Sequence, residues 1–106
     1  MNTIEFNKLL KRRIALTNKV LESKNKEYAT DLDKCHNFKR AGAMLGVAPE
    51  QALVGMWSKH LISILDIVDK INKQKVSKEM LEEKIGDAVN YLILLEALIK
   101  ERFRYD

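Results

Sequence analysis

The sequence predicts an all-α protein, a compact antiparallel helical bundle of three long helices and one short helix. Apolar residues recur at three- and four-residue spacing over long stretches, and no alternating apolar and polar stretch predicts a strand. The 106 residues make one domain's worth of chain, and a hydrophobic content of 46% is well above the range of disordered proteins. We therefore expect a single helical domain over residues 1–106.

The first predicted helix runs from about Thr3 to about Tyr28. Its apolar stripe follows the helical repeat and consists of Phe6, Leu10, Ile14, Thr17 and Leu21. The stretch from Ala29 to Cys35 that follows contains Thr, Asp and Asp, whose side chains bond nearby backbone amides in turns. It is predicted to be a loop.

A short second helix should begin at His36 or Asn37 and end at Gly46, because glycine adopts the left-handed conformation of a helix C-cap most readily. Pro49 suits the first turn of a third helix, where the missing N–H has no helical partner to lose. That helix is predicted to run to about Lys73. Its apolar face is interrupted in the middle by Lys59, His60 and Ser63.

The last helix is predicted from Ser77, its N-cap, to about Phe103. It is apolar around much of its circumference, which is more than the single stripe that a surface helix needs. The apolar residues are Leu81, Ile85, Ala88, Val89, Leu92, Ile93, Leu95 and Ile99. We expect this helix to be buried on two sides, and hence the protein to form a homo-oligomer, a dimer or larger.

Composition excludes several classes of protein. The single cysteine excludes an intramolecular disulfide framework, and no Cys or His pairs occur at zinc spacing. No stretch approaches eighteen uncharged apolar residues, so no membrane span is expected, and the first residues lack the pattern of a signal peptide. These features predict a cytoplasmic protein.

Positive charge is concentrated at one end of the chain. The net charge is +4, but residues 1–26 carry +5 and residues 76–106 carry −2. One interpretation is a solvated helix face whose bases pair with the acidic last helix. The other is a surface that binds the phosphates of nucleic acid or nucleotides.

Three polar residues share one face of the otherwise apolar last helix. Glu83, Asp87 and Asn90 follow one another at steps of four and three residues, with Tyr91 beside them. Two carboxylates backed by a carboxamide can hold Mg²⁺, which completes its shell with water and substrate phosphates. The alternative is that Glu83 and Asp87 pair with Lys or Arg of the first helix.

The polar interruption of the third helix is a second candidate binding element. Lys59, His60 and Ser63 would bring a cation, an imidazole and a hydroxyl to a phosphate or an attacking water. A structural alternative is that His60 bonds to a facing carboxylate, for which Asp87 is the candidate.

The predicted loop and the start of the second helix offer further ligand-binding candidates. Tyr28, Asp33, Asn37 and Phe38 form a polar and aromatic segment that can close over a base or a sugar. The structural alternative is turn capping, with Phe38 in the core. Cys35 and His36 resemble half of a metal site, but no second ligand pair follows at usable spacing.

Several blocks of the sequence resemble a known family. In order along the chain they are Lys24 to Tyr28, Asp33 to Phe38, Gly46 to Glu50, Lys59-His60 and Glu83 to Leu92. Together they resemble small phage and prophage proteins of MazG-like, nucleotide-modification-associated type, over roughly residues 20–100. The last block also resembles the acidic Gly-Asp helix of all-α nucleoside triphosphate pyrophosphohydrolases, in which carboxylates hold Mg²⁺ against the triphosphate.

The resemblance implies a MazG-like fold and a nucleotide-binding pocket. Asp87 matches the family's Asp, whereas Lys84 stands where the enzymes carry a Glu, and the third helix lacks their Glu-x-x-Glu pair. Catalysis would then rest on Glu83 and Asp87 holding a single Mg²⁺ while Lys24 and Lys59 neutralise phosphate. Asp31, Asp33 or Glu27 is a candidate for a missing ligand.

Two functions are therefore predicted as alternatives. The first is a phage or prophage protein that binds a nucleotide, acting as a Mg²⁺-dependent pyrophosphohydrolase or as an accessory of nucleotide modification. The second is a non-enzymatic interaction module that binds nucleic acid or a host protein. Its charged face would consist of Lys8, Lys11, Arg12 and Arg13.

Overall fold

The computed structural model describes residues 1–28 and 33–105, with side chains described outside residues 23–28. Four helices and no strand occur in these ranges, which confirms the all-α class and the order of three long helices and one short one. They are α1 (Thr3–Tyr28), α2 (His36–Leu45), α3 (Pro49–Asp69) and α4 (Lys78–Phe103). No helix among the described residues is both long and apolar enough to cross a membrane.

The helix ends follow the local sequence closely. Gly46 ends α2 in the left-handed conformation at φ 71°, and Pro49 opens α3, both as predicted. The hydroxyl of Ser77 caps α4 by accepting a hydrogen bond of 3.1 Å from the Met80 N–H. The prediction that α3 ends near Lys73 was wrong by four residues. After Asp69 the backbone tightens into turns in which an N–H bonds to the carbonyl three residues earlier, so the α-helix ends there.

The helix α4 lies between α1 on one side and α3 on the other, and α2 packs on α3. The helices α3 and α4 are antiparallel, since Glu50 at the start of α3 contacts Arg102 at the end of α4. The helices α1 and α4 run in the same direction, since Arg12 lies beside Glu82 and the cavity between the two helices is lined further along by Val20 of α1 and Asn90 of α4. This pair departs from the antiparallel arrangement that the sequence predicted. The sequence predicted burial of α4 on two sides because the helix is apolar around much of its circumference. Packing against α1 and α3 within one chain accounts for much of that apolar surface.

The hydrophobic core lies where α2, α3 and α4 meet. Leu53 of α3 is fully buried, and Phe38 and Leu98 reach it from α2 and α4. Cys35 completes this buried cluster, and Met56, Trp57, Tyr91, Leu94 and Leu95 pack around it. Among the described residues, α1 adds none to the cluster and packs mainly on α4, so its attachment is the weaker one.

Gly42 lets the turn after α2 fold back onto the helix. A Cβ at this buried position would lie 2.8 Å from the Val47 carbonyl oxygen and 3.0 Å from the Pro49 nitrogen. The Val47 N–H donates to the Gly42 carbonyl at 2.9 Å and closes the turn. Only a residue without a side chain fits this approach of two backbone segments.

A large apolar surface is left open. The face of α1 that meets α4 continues towards the N-terminus as Phe6, Leu9 and Leu10, which are 52%, 49% and 46% exposed. Arg12 of α1 lies beside Glu82, and α4 begins only four residues before Glu82. The first five residues of α1 therefore extend past the start of α4. Leu81, Leu92 and Ile93 likewise remain exposed on a third face of α4.

Candidate functional site

A cavity of about 270 Å³ lies between α1 and α4. Its size is just below the range typical of small-molecule sites, which suits a phosphate group and a metal ion with the rest of a ligand outside. The lining residues are Arg13, Leu16, Thr17 and Val20 of α1 and Glu79, Glu82, Glu83, Gly86, Asp87 and Asn90 of α4. The predicted cluster of Glu83, Asp87 and Asn90 therefore faces one cavity.

The neighbouring residue Glu82 forms the ion pair with a base of α1. Its carboxylate accepts both the Nε and the Nη2 of Arg12, the latter at 2.9 Å. These hydrogen bonds lower the pKa of Glu82 and raise the pKa of Arg12. The basic and acidic helices are thus neighbours, as one interpretation of the charge pattern held.

Glu83 and Asp87 keep their carboxylates available. Among the described residues, no Lys or Arg lies within 4 Å of either carboxylate. The sequence left open that these two residues pair with bases of the first helix. In the structure Glu82 forms that ion pair instead. The cavity therefore retains unpaired negative charge.

Asn90 brings an unpartnered acceptor to the same cavity. It is 6% exposed, and its Oδ1 makes no hydrogen bond within the described part of the chain. A buried amide oxygen without a donor costs roughly 1–3 kcal/mol. A cation or an N–H group of a ligand would remove this cost.

Asp87 also contacts α3. Its Oδ2 lies 3.7 Å from the Nδ1 of His60, so the partner that the sequence suggested for His60 is close but beyond hydrogen-bond distance. The His60 ring lies on Tyr91, with centroids 4.7 Å apart, and Tyr91 meets Phe38 edge to face at 5.8 Å. His60, Tyr91 and Phe38 thus connect the cavity wall to the core.

The structure does not bring Ser63 into this cavity. Its hydroxyl donates to the Lys59 carbonyl at 3.2 Å, and it lines a separate cavity of about 440 Å³ at the α3–α4 turn. Lys59 is exposed on α3. Of the polar interruption in α3, only His60 contacts a residue of the acidic cluster.

Asp33 belongs to a different cluster. Its carboxylate accepts the Cys35 N–H at 2.9 Å and the Lys39 ammonium at 2.7 Å, and both hydrogen bonds lower the pKa of Asp33. Lys39 also donates to Glu101, and these two bonds raise the pKa of Lys39. Glu101 lies fourteen residues along α4 from Asp87, about 21 Å at the helical rise. Asp33 is therefore not placed to complete a metal site at Asp87.

The Asp33 cluster also fails as a metal site of its own. Ligand atoms of Asp33, Cys35 and Glu101 approach within 4.8 Å of one another, but the Lys39 ammonium bridges the two carboxylates. Burial, then the nearby Asp33 and Glu101, raises the pKa of the Cys35 thiol, which opposes the thiolate that a metal requires. The cluster fastens the start of α2 to the end of α4.

The remaining predicted residues have different outcomes. Asn37 is half-buried on α2, and Phe38 is a core residue. The Lys24 and Tyr28 side chains lie outside the described residues, as do the Glu27 side chain and all of Asp31.

Several residues that line the cavity were not predicted as site residues, among them Arg13 and Thr17 of α1. Sequence analysis assigned Arg13 to a charged outer face and Thr17 to an apolar stripe. Arg13 lies four residues after Leu9 and seven before Val20, so it interrupts the apolar face of α1. A polar residue within an apolar stripe was the signal used for α4, and the same signal on α1 identifies Arg13.

The basic face proposed for nucleic acid is partly occupied. Arg12 pairs with Glu82, and the Nη2 of Arg13 donates to the Glu82 carbonyl at 3.1 Å. Two of its four bases are thus engaged within the chain, and only Lys8 and Lys11 remain fully exposed.

Comparison of the chain with protein-family models, with curated proteins and with solved structures finds no match.

Proposed function

We propose that the protein binds a nucleotide together with Mg²⁺ in the cavity between α1 and α4, as a MazG-like protein. The observation that carries the proposal is the buried, unpartnered Oδ1 of Asn90 beside two carboxylates that have no Lys or Arg partner in the described residues. Oxygen ligands of this kind suit a hard cation. The blocks that resemble MazG-like proteins include these same residues.

The charges around the cavity support a divalent cation. Arg12 compensates Glu82, and Arg13 is the one cation among the lining residues that the structure describes, so Glu79, Glu83 and Asp87 leave an excess of negative charge there. An anionic ligand without a metal would be repelled here. Bound as a magnesium complex, the same ligand brings the positive charge that the carboxylates lack.

Each residue then has a defined role. Glu83, Asp87 and Asn90 hold the cation through oxygen atoms, and His60 lies beside Asp87 and limits its movement. The metal would neutralise phosphate charge and polarise a water. If the protein hydrolyses its ligand, water attacks the α-phosphorus of a nucleoside triphosphate and the bond from that phosphorus to the α–β bridging oxygen breaks. The products are a nucleoside monophosphate and pyrophosphate, with the proton of the water released to solvent.

The first test is a thermal-shift series with Mg²⁺ and each common ribo- and deoxyribonucleotide. Ligand at about a hundred times its dissociation constant adds about 2.7 kcal/mol, which is several degrees for a domain of this size. We expect a shift only when metal and nucleotide are both present. Release of pyrophosphate from the triphosphate that shifts Tm most then tests for hydrolysis.

The matched variants are Asp87→Ala and Glu96→Gln. Asp87→Ala should abolish the metal-dependent shift while the protein stays folded. Glu96 lies on the same helix, is exposed, and pairs only with Lys100 at 3.7 Å, so its substitution removes a similar charge without touching the cavity. No shift in the wild-type protein with any nucleotide, or an equal loss in both variants, contradicts the proposal.

We also propose that the protein forms a homodimer. Its accessible surface is 8248 Å², whereas a compact monomer of this mass exposes about 6,100 Å². Burial of this excess of about 2,100 Å² on each of two copies would give a total interface area within the 2,000–5,000 Å² range of obligate homodimers. The radius of gyration of 15.9 Å likewise exceeds the about 13 Å expected of a domain of this length.

The surface proposed for the second copy is formed by the exposed apolar residues of the first half of α1, which are Ile4, Phe6, Leu9, Leu10 and Ile14. Sedimentation velocity on Leu10→Lys should show a monomer where the wild-type protein is a dimer. Met44→Lys is the control, since Met44 is an apolar residue 81% exposed on another helix. A monomeric wild-type protein, or a Leu10→Lys variant that remains dimeric, contradicts this surface.

A further inference from the structure

We infer that Arg13 is the anion-binding residue of the α1–α4 cavity and selects ligands that carry a phosphate or pyrophosphate group. The inference rests on the proposed function, because it names the side chain that receives the ligand's negative charge. Arg13 belongs to none of the blocks that resemble MazG-like proteins.

Two features of α4 hold the Arg13 guanidinium in the cavity. Its Nη2 donates to the Glu82 carbonyl at 3.1 Å, which fixes one corner of the group. Its Nη1 lies over Gly86, where a Cβ would come within 2.9 Å of it. The guanidinium thus rests on the one residue of the cavity wall that has no side chain.

Gly86 is explained by this contact. Glycine is a poor helix former, yet it stands in the middle of the long helix α4. The sequence suggested that it permits close approach of two helices. The structure instead brings a charged side-chain tip against it, and among the described residues no backbone of another helix lies within 4 Å of the position that a Cβ would take.

Arg13 retains binding capacity. The hydrogen bond to Glu82 uses one of the five N–H donors of a guanidinium. In the described part of the chain no carboxylate lies within 4 Å of Arg13, whereas its neighbour Arg12 makes two hydrogen bonds to the Glu82 carboxylate. A planar fork with free donors matches two oxygens of a phosphate.

The position of Arg13 among carboxylates defines the ligand class. Glu83 and Asp87 line the same cavity as Arg13, so a ligand must offer positive charge to them and negative charge to the guanidinium. A phosphate or pyrophosphate group with its divalent cation provides both.

The test combines two titrations of the full chain. Mn²⁺ alone is measured by electron paramagnetic resonance, and inorganic pyrophosphate with Mg²⁺ by calorimetry. Arg13→Gln removes the guanidinium, and Gly86→Ala displaces the guanidinium without changing the residue at position 13. Lys11→Gln is the control, because it removes the same charge from a position two residues before Arg13, on the opposite side of α1.

Arg13→Gln and Gly86→Ala should each weaken pyrophosphate binding by about 10- to 100-fold, the usual loss for a hydrogen bond to a charged group. Mn²⁺ affinity should stay equal or rise in Arg13→Gln, because a positive charge beside two carboxylates is removed. Gly86→Ala should keep or raise Tm, since Ala favours the helix. Lys11→Gln should change neither affinity.

Each contrary result has a distinct meaning. Unchanged pyrophosphate affinity in both variants, with Mn²⁺ still bound, overturns the inference and leaves the proposed function standing. Loss of both ligands in Arg13→Gln with a lower Tm assigns Arg13 a structural role and also overturns it. If the wild-type protein binds neither Mn²⁺ nor pyrophosphate, the inference and the proposed function fail together.

Discussion

Glu50 and Arg102 join the first turn of α3 to the last turn of α4 through two hydrogen bonds, of 2.7 and 2.9 Å. These bonds lower the pKa of Glu50 below its ordinary value of 4.5, and they raise the pKa of Arg102. The pair lies at the open end of the α3–α4 hairpin, where nothing else in the described chain ties the two helix ends together so directly.

The first prediction concerns pH. A carboxyl whose pKa is lower in the folded state stabilises the fold above its unfolded pKa and loses that contribution as pH falls through the folded value. Asp33, Glu50 and Glu82 all have lowered pKa values, from ordinary values of 3.8, 4.5 and 4.5. We therefore expect the urea midpoint to fall steadily as pH drops below about 4.5.

Glu50→Gln isolates one part of that dependence. Its urea midpoint should lie below that of the wild-type protein at pH 7 and converge with it as the pH falls through the lowered pKa of Glu50, because the carboxyl is then protonated in both states. Glu96→Gln serves as the control, because Glu96 is 66% exposed and paired only within its own helix. A constant difference between Glu50→Gln and wild type at all pH values would show that the ion pair is not the cause.

The second prediction compares two glycines. Gly42→Ala should destabilise the protein by about 1–3 kcal/mol, because the new Cβ has no room beside the Val47 carbonyl and the Pro49 nitrogen. Gly55→Ala should stabilise it by about 0.5–1 kcal/mol, since nothing lies within 4 Å of that Cβ and Ala favours the helix. Urea denaturation of the two variants measures the difference, and equal effects would contradict the close approach at Gly42.

The third prediction concerns the start of α4. Ser77→Ala removes the hydroxyl that accepts the Met80 N–H and should lower the free energy of unfolding by about 1 kcal/mol. Ser58→Ala is the matched control, because the Ser58 hydroxyl donates only to the Gly55 carbonyl within its own helix. Calorimetric Tm values should separate the two, and a loss in Ser58→Ala as large as in Ser77→Ala would argue against the cap.

The fourth prediction concerns Asn90. Asn90→Leu should leave Tm unchanged or raise it, because the substitution removes the buried Oδ1 that has no hydrogen-bond donor and adds apolar volume. The same variant should lose metal-dependent nucleotide binding. Stability is measured by calorimetry and binding by the thermal-shift series. A loss of more than about 1 kcal/mol on substitution would instead assign Asn90 a structural hydrogen bond.

Much of the fold follows from local sequence. The Thr3–Tyr28 helix, the Gly46 C-cap, the Pro49 start and the Ser77 cap all depend on residues within a few positions of one another, and each was predicted. The end of α3 was not, because the residues after Asp69 keep an apolar spacing that continues the helical pattern while their backbone leaves it.

The site was only partly predictable, for a different reason. The shared face of Glu83, Asp87 and Asn90 follows from helical spacing alone. Which base pairs with which acid depends on the axial offset of α1 against α4, and that offset makes Glu82, not Glu83, the partner of Arg12. The separation of Asp33 from Asp87 likewise depends on where α2 packs, which no local pattern specifies.

The central place of α4 also orders the steps of folding. The helix α1 precedes α2 and α3 in the sequence while its packing partner α4 follows them, and Arg12 and Glu82 are seventy positions apart. Contacts of such separation form late because a long loop must close first. The hairpin of α2 and α3 can therefore assemble while α1 still leaves Phe6 and Leu10 uncovered. The charge of +5 on residues 1–26 then opposes association between partly folded chains by mutual repulsion.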